Sequence, residues 1–167
     1  MRIEQSRLAA GPQIEAKPGT YALVLYCPRP VRVQIGRLGK MQLRRGYYVY
    51  IGSARGPGGL QARVAHHRRL SRRPHWHIDY LRAHTTWRAA CFAYGSARRE
   101  CAWARYLQRM EGAMILLPRF GASDCHCRAH LYYFASMPDL RLGRPSCRQH
   151  GSLVVRGGRP SQQWVSS

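Results

Sequence analysis

The stretch 46–67, GYYVYIGSARGPGGLQARVAHH, gathers side chains suited to chemistry on a phosphate. Arg63 offers paired guanidinium donors that match phosphate oxygens, and the Tyr50 hydroxyl can give or take a proton. His67 follows Arg63 by four residues, so on a helix both side chains share a face and reach one object. A shift of one residue in the preceding loop would put His66 there instead. A single strand tyrosine is usually an ordinary packing aromatic, so weight falls on the joint occurrence of these groups.

The elements that must position them follow from the surrounding pattern. Residues 46–52 hold three tyrosines and two β-branched residues in a run that favours a strand ending at Gly52. The loop 55–59, RGPGG, suits neither helix nor strand, and beyond it Leu60, Val64 and Leu70 form an apolar stripe at helical spacing. Upstream, TYALVLYC at 20–27 is nearly continuously apolar, which predicts a strand buried on both faces and ended by Pro28 and Pro30. A hairpin follows, with VRVQI at 31–35 and a return over 41–45, one of its faces polar and partly basic. Downstream the pattern predicts a short helix over 75–81 and a strand over 87–94 closed by Gly95, with Ser96 as N-cap. A helix over 97–110 then turns Ala97, Cys101, Ala104 and Leu107 to the core, and a last strand spans 131–134. The fold class expected is α/β, a small mixed sheet of about four to five strands with helices packed against it. Residues 1–18 read as a loose lead-in, 19–137 as the domain, and 138–167 as a disordered basic tail.

Composition narrows the partners. Lys and Arg number 28 against seven Asp and Glu, a net charge of +21, and only Lys17 and Lys40 are lysines. A GC-rich genome can explain arginine over lysine, but not the scarcity of acids. Nucleic acid is therefore the expected partner, DNA favoured over RNA, with Arg55 and the RRLSRRP run (Arg68, Arg69, Arg72, Arg73) as candidate phosphate contacts. No apolar run reaches membrane-spanning length and no signal-peptide core is seen, so the expectation is a cytoplasmic protein with reduced thiols and no membrane partner.

Motif order adds a resemblance. With Gly19-Thr20-Tyr21, Tyr50-Ile51-Gly52, Arg63, His67 and Glu100 in that order, the chain resembles the GIY-YIG nuclease superfamily over residues 19–134. More narrowly it looks like the branch often appended to endonuclease III type repair enzymes. The hairpin at 31–45 departs from the superfamily, where this link is commonly shorter. The resemblance implies a metal-dependent endonuclease, with a role in DNA repair. Tyr21 would help deprotonate the attacking water, Tyr50 would support water or phosphate, Arg63 would neutralise the phosphate, and His67 would assist proton transfer or orient a tyrosine. Glu100 would hold Mg2+, with Mn2+ able to substitute, to steady the leaving oxygen. A non-catalytic nucleic-acid-binding module using the same basic, tyrosine-lined cleft is the alternative, and RNA processing a third reading.

Cys125, Cys127 and His130 have the chemical types of a zinc site, but C-x-C-x-x-H is not the usual C-x-x-C spacing. A fourth ligand would have to come from His75, His77 or Cys101, and small thiols packed beneath a loop are the reading preferred from sequence. The charge itself makes a prediction: log affinity for nucleic acid should fall linearly with log salt, with a slope of several units, in fluorescence-anisotropy titrations. A flat salt dependence would remove nucleic acid as the main partner.

Overall fold

A computed structural model describes residues 14–142. The first thirteen residues of the expected lead-in, and the expected tail from 143 onward, lie outside the described residues. In chain order the elements are β1 (Gly19–Cys27), β2 (Val31–Ile35), β3 (Gly39–Leu43), β4 (Gly46–Ala54), α1 (Gly59–Arg68), α2 (His77–Arg82), β5 (Thr86–Tyr94), α3 (Glu100–Gln108) and β6 (Leu131–Phe134). Four strands form one sheet in the order β5-β1-β4-β6, while β2 and β3 pair separately. The α/β class expected from the sequence is the class adopted, but every pairing is antiparallel rather than mixed. No crossover helix separates β1 from β4; the hairpin between them returns the chain beside its own start, which makes an antiparallel pair.

β1 and β4 pair along their whole length, from Gly19 opposite Ala54 to Cys27 opposite Gly46. Strand alternation sends Tyr21, Leu23, Leu25, Tyr48 and Tyr50 to one face, and Ala22, Val24, Val49 and Ile51 to the other. The first face packs against α1, α2 and the hairpin, the second against Trp103, Ala104 and Leu107 of α3. Each fully buried Leu-sized side chain contributes about 1.5–3 kcal/mol, so these central strands anchor the domain. The hairpin buries Val33, Ile35, Met41 and Leu43 and exposes Arg32, Gln34, Lys40 and Gln42, as its alternation predicts. Because it forms its own sheet, it lengthens the link between β1 and β4 without shifting their register.

Four expectations need correction. Leu70 is 65% exposed and lies past the end of α1; the buried stripe is Leu60, Val64 and His67. The buried Arg82 side chain donates to the carbonyl oxygens of His67 (2.7 Å) and Arg68 (3.4 Å), satisfying the helix C-terminus there. α3 begins at Glu100 rather than 97, and Ser96 does not cap it, its carbonyl instead accepting from Arg55 (3.0 Å). Residues 15–17 are not loose: the Lys17 and Glu15 carbonyls accept from Leu60 N (2.9 Å) and Gln61 N (3.3 Å), two first-turn donors of α1. Finally, Leu140 and Leu142 are buried in the core beside α3, so the folded unit runs past 137.

One glycine fixes the placement of Tyr21. Gly52 is its cross-strand partner, and a Cβ there would overlap the Tyr21 hydroxyl. That hydroxyl ends a rigid, buried ring and has little room to retreat. Gly52→Ala should therefore destabilise the domain by about 1–3 kcal/mol, read as a lowered midpoint in urea denaturation.

Candidate active site

β6 pairs with β4 only from Tyr47 to Tyr50, and the end of β4 opens into a cleft of about 300 Å³. Tyr21, Tyr50, Arg63 and Glu100 all line it, joined by His75, Trp76, His77, Ser123, Asp124 and His130. The structure thus brings together residues from β1, β4, α1 and α3 that are up to 79 positions apart in sequence. Tyr21 and Tyr50 share the sheet face beneath α1, their ring centroids 6.3 Å apart. Tyr50 lies against Gly121, whose φ of +70° and close approach to that ring both favour a residue without Cβ. The Arg63 guanidinium sits 4.3 Å over the Trp76 ring, a stacking that holds it at the cleft wall while leaving its donors available.

Beneath the cleft the Tyr21 hydroxyl and His67 Nε2 are 2.8 Å apart, both groups buried. Asp79 Oδ1 lies 3.8 Å from the other ring nitrogen, Nδ1, beyond hydrogen-bond reach but close enough for its charge to act. A bare lone pair facing a carboxylate would be repelled, so Nδ1 carries the proton and Nε2 accepts from Tyr21. His67, not its neighbour, is the histidine that meets Tyr21. His66 instead contacts Asp79 Oδ1 at 3.2 Å and packs edge-on against Trp76. Asp79 Oδ2 accepts from the backbone N–H groups of His75 (3.0 Å) and Trp76 (3.1 Å) at the start of α2.

These surroundings set the protonation states. Burial holds the Tyr21 hydroxyl well above its ordinary value, reinforced by Tyr50 and opposed by Arg63. Tyr50 is pushed up to about 12, again by burial first. Burial lowers His67 below the usual imidazole value, with Asp79 pulling the other way. For Asp79 burial acts to raise the value, but His67, two backbone N–H groups and His66 together outweigh it, and the carboxyl is held well below the usual range. At neutral pH the assembly is neutral tyrosine, neutral histidine and ionised aspartate.

Glu100 is the first residue of α3 and reaches the cleft from the opposite side of the sheet. Its Oε2 is buried without a hydrogen-bond partner, and its nearest cation is Arg55 at 3.9 Å. At that distance Arg55 offers charge but no hydrogen bond, so the oxygen keeps a free acceptor site that a divalent cation would fit. Asp124 lines the same cleft and adds a second carboxylate.

The other predicted residues divide. Arg55 is tied to Ser96 and Glu100, and Arg68 stacks 5.4 Å over Trp87. Arg69, Arg72 and Arg73 are exposed and do not line the cleft. Cys125, Cys127 and His130 are brought together with Cys101, their four donor atoms all within 4.8 Å of one another, so the thiols are clustered rather than separately packed. His66, His67 and Asp79 form the second close donor group among the described residues.

The family model described as domain of unknown function DUF123 matches residues 20–148, a span holding every residue of the cleft. The chain belongs to that family. No curated protein and no solved structure matches it.

Sequence reasoning gave no role to Asp79, Trp76 or Asp124, and considered His77 only as a zinc ligand. Asp79 left the clearest signal, a carboxylate at the third position of a short helix where it can return to backbone N–H groups. Replacing it tests the arrangement. Asp79→Asn should lower stability at pH 7 by about 3 kcal/mol, through lost charge-assisted hydrogen bonds. The wild-type carboxylate, depressed in the fold, contributes stability above about pH 4 that is lost as pH falls toward its folded-state value. Thermal melts across that range should show a steep acid limb in the wild type and a flatter one in the variant.

Proposed function

We propose that the chain is a metal-dependent endonuclease of the GIY-YIG type that hydrolyses nucleic-acid phosphodiester bonds, with DNA the favoured substrate. The observation that carries this reading is the buried Tyr21–His67 pair opening on a cleft that also holds Arg63 and a Glu100 carboxylate oxygen without a hydrogen-bond partner. The pairing of β1 with β4 supports it further, since it sets Tyr21 of the GTY motif directly opposite Gly52 of YIG. The net charge of +21 supplies the attraction for a polyanion.

In this reading Arg63, fixed on Trp76, binds the phosphate through its guanidinium fork. Tyr21 does not act as a preformed tyrosinate, because burial keeps it protonated. Its oxygen takes a proton from the attacking water while its own proton passes to His67 Nε2, and Asp79 stabilises the imidazolium that results. Water oxygen bonds to phosphorus, and the bond to the leaving sugar oxygen breaks. Tyr50 hydrogen-bonds water or phosphate at the cleft floor. Glu100 would hold a magnesium ion, or manganese in its place, and when bound it would supply neutralisation of the charge that develops on the leaving group.

A relay through His67 sets the pH dependence. A free tyrosine base would make cleavage climb well past neutral, whereas a relay requires only that His67 be neutral. Cleavage should fall as pH drops below about 6.5, through the depressed His67 value, and should be level around neutrality. Tyr21→Phe should lower the rate by about 10²–10⁴-fold with the fold retained.

Glu100→Ala separates cutting from holding. Its carboxylate serves charge that grows in the transition state, so magnesium-dependent cleavage should fall by about 10²–10³-fold while binding stays level or improves. Arg63→Ala should weaken both, since it meets the phosphate throughout. Cleavage of branched, nicked and single-stranded substrates with magnesium or manganese is the measurement. Binding without cleavage on every substrate would replace the nuclease with a nucleic-acid-binding module.

A further inference from the structure

We propose that Cys101, Cys125, Cys127 and His130 bind a structural zinc ion, separate from the divalent ion assigned to Glu100. Their donor atoms all lie within 4.8 Å of one another. A tetrahedral ion with Zn–S of about 2.3 Å and Zn–N of about 2.0 Å sets its donors about 3.5–3.8 Å apart. Cys125 Sγ and His130 Nε2, at 3.4 Å, already stand at that spacing. Three thiols and an imidazole with no carboxylate make a soft donor set, which selects zinc over magnesium or calcium.

The backbone is prepared for this. Arg119 adopts a left-handed φ of +66°, and its guanidinium donates to the carbonyl oxygens of Cys125 (2.7 Å) and Cys127 (2.9 Å). Arg119 N–H donates to Arg128 O and His130 N–H to Phe120 O (2.7 Å), so the loop closes on itself before entering β6.

The site joins two segments distant in sequence: the first turn of α3, which gives Cys101, and the loop 119–130. Glu100 immediately precedes Cys101, and Asp124 immediately precedes Cys125. Both cleft carboxylates are therefore carried on residues adjoining a zinc ligand, and the ion would fix their separation. The C-x-C-x-x-H spacing that looks irregular in sequence is completed by a ligand from a helix more than twenty residues upstream.

The full chain, purified under reducing conditions without chelator, should contain about one zinc per chain by elemental mass spectrometry. Exchange for cobalt should give the intense visible d–d bands and thiolate charge-transfer bands of a tetrahedral, sulfur-rich site. Cys127→Ser and Cys125→Ser should each lower zinc content about tenfold or more. No metal in the wild type after reconstitution, or zinc retained in both variants, would overturn the proposal. So would cobalt bound without thiolate charge transfer, which would point to His66, His67 and Asp79. The wild-type cobalt spectrum decides even if the variants do not fold. None of these readouts depends on cleavage, so loss of the nuclease reading would leave this one standing, and the reverse.

Discussion

The hydrogen bond between Tyr21 and His67 ties the sheet to α1 directly beneath the cleft. Each partner is buried, so neither can turn to water, and a displaced hydroxyl or ring nitrogen would be left unsatisfied. The rest of the arrangement narrows the freedom of these two groups. Gly52 leaves room for the hydroxyl, Arg82 holds the carbonyl of His67, and Asp79 faces its second nitrogen. A proton-transfer geometry needs this sort of constraint, because a misplacement of about 1 Å is enough to lose much of its effect.

Charge is distributed with equal economy. Among so many arginines, Arg63 stacks on Trp76, Arg82 caps the end of α1, Arg119 holds the cysteine loop, and Arg55 faces Glu100. The few acids are placed where a cation or a backbone donor can meet them, Asp79 at the start of α2 and Glu100 at the start of α3. Repulsion among the remaining exposed arginines would be relieved by a polyanion, the class of partner proposed for the cleft.

Much of this was legible in the sequence. Continuous apolar character marked β1, alternation marked the hairpin, and the step from Arg63 to His67 placed both on one helix face. What escaped depended on long-range contacts that no local pattern encodes. Leu70 extended the stripe of α1 on paper, but Arg82, fourteen residues beyond Arg68, ends that helix. Cys101 is one of three candidate partners the sequence offers the cysteine loop, and only the fold selects it; that Asp79 acts on residues of α1 is not given by spacing at all.

The independence of the hairpin bears on how the chain finds this arrangement. Residues 28–45 would otherwise be one long connection whose closure costs entropy before β1 and β4 gain any contact. With β2 and β3 paired across a tight turn, the ends of that connection are brought near Cys27 and Gly46, which are themselves cross-strand partners. Hairpins form in about 1–10 μs, so the long-range pair inherits a short effective loop. Zippering from that end reaches Tyr21 and Gly52 late, so the cleft end of the ladder closes after the hairpin end.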